Sequence, residues 1–125
     1  MAHSDGDVVI HALIDALFGA AALGDIGTHF PDTNPKYKNT DSVGLLTDCY
    51  ELIKKNNHQI ENIDINIITE QPKLAPYTHL MRERLSEILQ INKEKIAIKA
   101  KTNEQLDAIG RGEAIAVQAV VLINN

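Results

Sequence analysis

The sequence contains a single cysteine, Cys49, so no disulfide can form within the chain. A lone thiol suits a reducing compartment, where disulfides are rare. No run of apolar residues is long enough to cross a membrane, and the sequence shows no secretory or transit signal. From these absences we expect a cytoplasmic protein that has no membrane partner.

Basic residues are also few, since 12 lysines and arginines stand against 17 aspartates and glutamates, for a formal net charge of −5. Phosphate contacts by basic side chains dominate nucleic-acid binding, and no basic stripe is present, so we expect no nucleic-acid partner. The sequence also lacks a P-loop, a dinucleotide-binding fingerprint and a nucleophile elbow. A phosphorylated ligand would therefore have to be bound locally, by a few side chains or a metal ion.

What is present fits a single domain over residues 1–125. Apolar residues at helical spacing predict three helices, and Ser4 with Asp7 resembles a capping box at the start of the first. Residues 24–41 are rich in Gly, Pro, Asp, Asn and Thr and predict a long loop. The predicted helices are 5–23, 42–56 and 78–89, and the predicted strands are 63–69, 96–102 and 113–123.

The last predicted strand, "EAIAVQAVVLI", is apolar on both alternating faces, which predicts burial on both sides. A central strand or a strand in a subunit interface would have this pattern. The order of elements favours an α+β fold in which helices pack on one face of a mixed β-sheet. Because no predicted helix remains to cover the other face, we expect a homo-oligomer.

The first predicted helix carries two candidate sites. Asp7, His11 and Asp15 follow at i, i+4 steps and share a helix face, so they are candidates for a metal site. The alternative is that Asp7 and His11 form only a pair on the helix surface. His3 and Ser4 stand at the amino end, where unpaired N–H groups and the helix dipole favour a phosphate. The alternative is that Ser4 only caps the helix and His3 is a frayed terminal residue.

The predicted loop combines carboxylates with flexible backbone at Asp25, Gly27, Phe30 and Asp32, a mix suited to binding sugar hydroxyls. The alternative is a series of Asx turns with Phe30 filling the core. His29, His58 and His79 show no partner spacing and are interpreted as surface or core residues. Cys49 is interpreted as a buried thiol.

Three further stretches have both a binding and a structural interpretation. "TEQPKLAP", residues 69–76, leaves a strand through two prolines and offers main-chain donors and acceptors to a planar base, or simply connects a strand to a helix. "KTNE", residues 101–104, places a hydroxyl and a carboxylate where they can meet a phosphate or its divalent cation. "GRGE", residues 110–113, presents Arg111 between glycines to an anion. The last two also fit ordinary turns.

Taken in order, "HSDGDVVIHALIDALFGAAALGDIGTHFPDTNPKYKNTDS", "QPK" and "GRGE" closely resemble the 2-C-methyl-D-erythritol 2,4-cyclodiphosphate synthase family of the non-mevalonate isoprenoid pathway. The resemblance implies an α+β homotrimer whose sheets face the central axis and whose active sites lie between subunits. It also implies that a CDP-linked methylerythritol 2-phosphate is cyclised by intramolecular phosphoryl transfer, with release of CMP.

The resemblance assigns roles by position. His11 becomes a zinc ligand, and His3 and Thr102 become catalytic groups that stabilise charge on the transferred phosphoryl group. The cytosine is expected to be read by the backbone, and Glu104 is expected to lie close to Mg²⁺ or Mn²⁺. The implied substrate-binding residues are Ser4, Asp25, Ile26, Gly27, Phe30, Pro31, Asp32, Thr33, Asn34, Thr69, Glu70, Gln71, Pro72, Lys73, Leu74, Ala75, Lys101, Asn103, Glu104, Ala108 and Arg111.

The sequence departs from the family pattern at three places. The family takes its other two zinc ligands from an Asp-x-His that precedes the residue matched by His3, and this sequence has only two residues there. We therefore expect a chain truncated at its amino end relative to the family, which binds zinc weakly or not at all. Lys101 and Asn103 replace hydroxyl residues, and Asp107 and Ala108 replace a glycine and an aromatic residue.

Two alternatives to an active cyclase remain at this point. The first is a non-catalytic trimeric relative that binds CDP-type ligands without turnover. The second is an unrelated, metal-free interaction domain, for which the ordered series of motifs would be a coincidence.

Overall fold

Five helices and three strands form the described part of the chain in the computed structural model, which covers residues 3–31, 41–70, 75–102, 104, 106–110 and 115–125. The side chains of residues 3–5 and 75 are outside this description. The helices are α1 (His3–Ala20), α2 (Ile26–His29), α3 (Ser42–Lys55), α4 (Thr78–Leu89) and α5 (Asp107–Gly110), and the strands are β1 (Gln59–Ile68), β2 (Ile96–Lys101) and β3 (Ala116–Asn124). Short 3₁₀ turns at Ala75–Tyr77 and Lys93–Lys95 lead into α4 and β2.

The three strands make one mixed sheet in the order β2-β1-β3. β1 and β2 are parallel, with Ile68 opposite Lys101, and α4 makes the crossover between them. β1 and β3 are antiparallel, with Ile68 opposite Ala116 and a register shift between Ile60 and Asn62. The carboxyl ends of β1 and β2 and the start of β3 therefore meet at one edge of the sheet.

The core lies between the helices and one face of the sheet. Alternate isoleucines of β1, at positions 63, 65 and 67, are fully buried toward this layer. From α1 the core receives Leu13, Ile14, Leu17 and Phe18, all fully buried, and from α3 it receives Leu46, Cys49 and Ile53. The predicted α+β class, with helices on one face of a mixed sheet, is confirmed.

Three of the six predicted elements, the helices 42–56 and 78–89 and the strand 96–102, are confirmed within one residue at each boundary. The strand predicted at 113–123 is β3, which begins at Ala116. The helix predicted at 78–89 is α4, and the helix predicted at 42–56 is α3, which starts at Ser42 because the Asp41 carboxylate accepts a hydrogen bond from the Gly44 N–H at 2.7 Å. The strand predicted at 63–69 begins four residues earlier, at Gln59. Within the predicted loop 24–41, residues 26–29 form the single turn α2.

The predicted bounds of the first helix were wrong at both ends. α1 already includes Ser4, so this residue is not the cap, and the Asp7 carboxylate accepts a hydrogen bond from the Ser42 hydroxyl instead of closing a capping box. At the other end the helix stops at Ala20, because Ala22 adopts a left-handed conformation with φ 57° and the Leu23 N–H bonds to the Phe18 carbonyl at 2.8 Å. The apolar composition continues past this stop to Leu23 and conceals it.

The last strand, β3, is not the central strand of the sheet. β1 occupies the centre of the sheet and β3 lies at an edge. Val117, Ala119 and Val121 pack against the core, whereas Val120 and Leu122 on the opposite face are 69% and 63% exposed. The expectation of burial on both sides therefore fails within a single chain, because the outer face of the sheet has no described layer over it. A subunit interface on this face stays a prediction.

Cys49 is buried in α3, as predicted, and its thiol lies 4.0 Å from the Ile14 carbonyl oxygen. Burial raises the pKa of the Cys49 thiol to about 12, and the negative charge of Asp15 adds to the shift. At pH 8 the reactive thiolate is thus a fraction of about 10⁻⁴ of the population.

We expect the thiol of the native chain to react with a thiol reagent at least about 100-fold more slowly than that of the urea-unfolded chain. The absorbance of the released chromophore measures both rates. Equal rates would contradict the burial of this thiol.

Along the described residues, no helix is both long and apolar enough to cross a membrane.

Candidate functional site

One cluster of predicted site residues lies where β1 and β2 end side by side. The Thr69 N–H donates to the Lys101 carbonyl at 3.0 Å, which extends the parallel pairing by one residue beyond Ile68. Thr69 is only 4% exposed, whereas Lys101 and Thr102 are exposed. The start of the stretch predicted to read a base is therefore held directly against the stretch predicted to meet a diphosphate.

The chain turns sharply after Thr102. Glu104 has φ 51°, and its N–H donates to the Thr102 Oγ1 at 3.4 Å, so the threonine hydroxyl and the glutamate stay close together at the surface. The Asp107 carboxylate then accepts from the Ile109 N–H at 2.9 Å and starts the single turn α5, in which Ala108 is half-buried.

A second cluster lies after α1 and carries Asp25. This carboxylate caps α2 by accepting from the Thr28 N–H at 2.9 Å and from the Thr28 hydroxyl at 2.8 Å. The Thr28 hydroxyl bond, then the Thr28 N–H bond, lower the pKa of Asp25 below its ordinary value of 3.8. The Asp25 carboxyl group is therefore ionised near neutral pH. It is also exposed, so its remaining lone pairs can accept hydrogen bonds from sugar hydroxyls.

The predicted substrate residues around Asp25 differ in exposure. Gly27 is exposed, and Ile26 is half-buried. Phe30 and Pro31 are half-buried, with the Phe30 ring 5.8 Å from the ring of Phe18. The interpretation of Phe30 as a core-filling residue is thus supported by this contact, and it leaves part of the ring available to a ligand.

The acidic residues flanking His11 have partners other than a metal. Asp7 accepts from Ser42, and the Asp15 Oδ1 accepts from the Ile26 N–H at 3.1 Å, while His11 between them is exposed. Among the residues that the structure describes, no group of three His, Cys, Asp or Glu side chains could hold a metal ion. A structural zinc ion takes four ligands and a catalytic one three from the protein, so the described residues do not by themselves fit a zinc site.

Several predicted site residues lie outside this description. For His3, Ser4 and Ala75 only the backbone is described, in the first turn of α1 and at the 3₁₀ turn before α4. Glu70 is described and half-buried just after Thr69. The residues outside the described ranges are Asp32, Thr33, Asn34, Gln71, Pro72, Lys73, Leu74, Asn103 and Arg111.

Two residues near the second cluster have roles that the sequence did not reveal. The sequence indicates Asp15 only as a candidate metal or surface residue, and His29 only as a surface or core residue. The His29 Nε2 donates to the Leu23 carbonyl, and the ring stacks on Phe18 with centroids 4.4 Å apart. Because the contact from Asp15 to Ile26 spans eleven residues and bridges two helices, no periodic pattern in the sequence could have indicated it.

The sequence matches the YgbB family over residues 1–124. A relative from Brachyspira hyodysenteriae named 2-C-methyl-D-erythritol 2,4-cyclodiphosphate synthase is 55% identical over 121 residues, which cover 97% of this chain and 77% of the relative. A protein of the same name from Clostridium perfringens is 51% identical over 123 residues, which cover 98% of this chain and 79% of that protein.

Solved structures show the same likeness. The bifunctional IspDF from Campylobacter jejuni superposes with a TM-score of 0.88 at 41% identity, over 98% of this chain and 33% of that larger chain. A CDP-bound 2C-methyl-D-erythritol-2,4-cyclodiphosphate synthase superposes with a TM-score of 0.87 at 34% identity, over 99% of this chain and 80% of that one. On sequence and structure together, the chain belongs to the YgbB family.

Proposed function

We propose that this chain catalyses the reaction for which its relatives are named, converting 4-diphosphocytidyl-2-C-methyl-D-erythritol 2-phosphate to 2-C-methyl-D-erythritol 2,4-cyclodiphosphate and CMP. The observation that carries the proposal is the sheet edge where Thr69 is hydrogen-bonded to Lys101. There the first residues of the stretches proposed to read the base and to bind the diphosphate lie together, on a fold shared with a CDP-bound synthase. The sequence identity of 51–55% to the named relatives supports an active enzyme over a non-catalytic relative.

The reaction is an intramolecular phosphoryl transfer. An oxygen of the 2-phosphate attacks the β-phosphorus, a new P–O bond forms, and the bond from the β-phosphorus to the bridging oxygen breaks. CMP leaves with the electron pair of that bond. Such a transfer needs little covalent chemistry from the protein, so positioning and charge stabilisation supply most of the rate.

The residues of this chain divide these tasks. The exposed Thr102 hydroxyl and the Lys101 ammonium stand at the sheet edge, where they can donate to the diphosphate. The Asp25 carboxylate accepts from the ribose hydroxyls, and the half-buried Phe30 and Pro31 line the methylerythritol end. The backbone from Thr69 reads the cytosine. His3 and Ser4 contact the phosphates from the first turn of α1.

The proposal includes metal ions. His11 would be one ligand of a zinc ion, and Glu104 would lie near Mg²⁺ or Mn²⁺. When bound, these cations neutralise charge on the diphosphate, which matters in a chain of net charge −5. Because the described residues do not complete a zinc site, no step of the reaction is assigned to zinc. A lower zinc content in purified His11→Ala than in wild type would support His11 as a ligand.

We also propose that the chain forms a homotrimer in the cytoplasm, with the outer face of the sheet toward the three-fold axis. Val120 and Leu122 project from this face, next to an ion pair in which the Lys99 Nζ lies 2.9 Å from an Asp64 oxygen. An exposed apolar strand face beside a fixed ion pair is typical of a subunit interface. The buried free thiol of Cys49 is consistent with a reducing compartment.

The trimer proposal predicts that Leu122→Glu dissociates the assembly. Three glutamates would meet near the axis, and burying unpaired carboxylates costs several kcal/mol each, about the scale of a subunit contact. Sedimentation equilibrium should give the mass of one chain for Leu122→Glu and of three chains for wild type. Leu80→Glu is the matched control, since Leu80 is equally exposed, at 61%, but lies on α4. A trimeric Leu122→Glu would contradict this interface.

The activity is tested by CMP release from the CDP-linked substrate with Zn²⁺ and Mg²⁺ added. We expect turnover by the wild-type chain, and a lower kcat for Thr102→Val than for Thr102→Ser, because only serine retains the hydroxyl donor. CDP binding without CMP release would instead identify the non-catalytic relative. If the chain neither bound CDP nor released CMP, the proposed function would be overturned.

A further inference from the structure

The segment from Leu23 to Phe30, which carries Asp25, Ile26 and Gly27, has little structure of its own. It contains the single helical turn α2, preceded by Gly24 at φ 98°. One turn of helix fixes many dihedral angles for few hydrogen bonds and is unstable in isolation. The conformation that aligns the Asp25 carboxylate must therefore be held by contacts other than the helical hydrogen bonds of α2.

The first such contact comes from Asp15. Its Oδ1 accepts from the Ile26 N–H at 3.1 Å, and Ile26 is the first residue of α2. The N–H groups at a helix start have no partner within the helix. Asp25 satisfies the Thr28 N–H and Asp15 satisfies that of Ile26, so two carboxylates share this helix start. Asp15 belongs to the long helix α1 and ties the segment to it.

The second contact comes from His29, the last residue of α2. Its Nε2 donates to the Leu23 carbonyl, and since a carbonyl oxygen only accepts, this nitrogen carries the proton. The ring also stacks on the fully buried Phe18, at 4.4 Å and an interplanar angle of 26°. The bond closes the segment into a loop from residue 23 to residue 29, and the stacking anchors this loop on the core.

We propose that Asp15 and His29 are positioning residues that hold Asp25–Gly27 in the conformation that binds the substrate. The inference rests on the proposed function, since Asp25 is the group that meets the ribose. Neither residue is required to touch the substrate. Each acts through the backbone, at opposite ends of α2.

Four variants separate positioning from general stability. His29→Phe keeps a ring to stack on Phe18 but has no donor for the Leu23 carbonyl, whereas His29→Gln keeps an N–H donor. Asp15→Ala removes the acceptor for the Ile26 N–H, whereas Asp15→Asn keeps a carbonyl oxygen there. The matched controls are His79→Phe on α4 and Asp48→Ala on α3, both at exposed positions outside the site.

We expect His29→Phe and Asp15→Ala each to raise the KM for the CDP-linked substrate about 3- to 10-fold, the effect of one lost hydrogen bond, with kcat changed less than about 2-fold. The ribose contact is distant from the reacting phosphorus, so its loss weakens ground-state and transition-state binding alike. The Gln and Asn variants should restore KM to within about 2-fold of wild type. Unchanged KM in His29→Phe and Asp15→Ala, or no rescue by the conservative variants, would overturn the proposal.

Amide-proton exchange measured by NMR tests the same contacts without activity. The Ile26 N–H should exchange faster in Asp15→Ala than in Asp15→Asn or wild type, because the variant lacks its acceptor. If the wild-type chain releases no CMP, the proposed function fails, and the exchange rates then decide the anchoring alone. Equal exchange rates of the Ile26 N–H in all three proteins would overturn the proposed anchoring by Asp15.

Discussion

Replacing Asp25 by asparagine is expected to lower kcat/KM for the CDP-linked substrate by about 10- to 100-fold, because hydrogen bonds to a charged group contribute about 1.5–3 kcal/mol. Asparagine keeps an oxygen that can accept from the Thr28 N–H and hydroxyl, as Asp25 does at 2.9 and 2.8 Å. The cap of α2 therefore survives and only the charge offered to the ribose is lost. Steady-state kinetics of CMP release measure the effect.

The matched control for this variant is Asp48→Asn, which changes an equally exposed carboxylate on α3. Both variants should unfold at the wild-type temperature, and only Asp25→Asn should lose activity. Wild-type kinetics in Asp25→Asn would show that this carboxylate does not contact the substrate. A large fall in its melting temperature would instead show that the charge is needed for the fold of the segment.

Replacing Phe18 by alanine is expected to reduce the free energy of unfolding by about 3–5 kcal/mol, the usual cost of removing a fully buried aromatic ring. Phe18 is also the surface on which His29 stacks, at 4.4 Å, and it lies near Phe30, at 5.8 Å. The variant therefore removes core volume and the support of the substrate segment together. Urea unfolding followed by circular dichroism measures the change.

Phe18→Leu is the control for the stability effect, because it keeps most of the volume and should cost less than half as much as alanine. It does not restore an aromatic ring beneath His29, but it leaves the hydrogen bond from His29 to the Leu23 carbonyl in place, so its KM should stay within about 2-fold of wild type, as in His29→Gln. An alanine variant that loses less than about 1 kcal/mol would contradict the packing described around Phe18.

The periodicity of apolar residues was sufficient to predict α3, α4 and the strands, since each buries one face against the core. The periodicity did not predict the ends of α1, which depend on the local backbone conformation. The run of alanine and leucine after Ala20 does not reveal that Ala22 turns left-handed, and the pattern around Ser4 does not distinguish a cap from a residue inside the helix. The two apolar faces of β3 predicted burial on both sides, but the residues that the structure describes cover only one of them.

The site residues could be predicted from the sequence where they lie together in one continuous stretch. The stretches that begin at Thr69 and Lys101 were found separately, and their contact follows from the parallel pairing of β1 with β2. The role of Asp15 was not predictable, because an i, i+4 relation to His11 indicates a shared helix face and says nothing of a contact with Ile26. His29 was missed for the same reason, since its partner is a backbone carbonyl, which every residue carries.

We expect the 2-phosphate, and not water, to attack the β-phosphorus. The most direct test is ³¹P NMR of the reaction run by the purified chain in H₂¹⁸O. Intramolecular attack predicts the two coupled phosphorus signals of a cyclic diphosphate, one CMP for each, and no ¹⁸O in either product. Formation of an ¹⁸O-labelled methylerythritol bisphosphate with CMP would contradict the account, because it would identify a hydrolase.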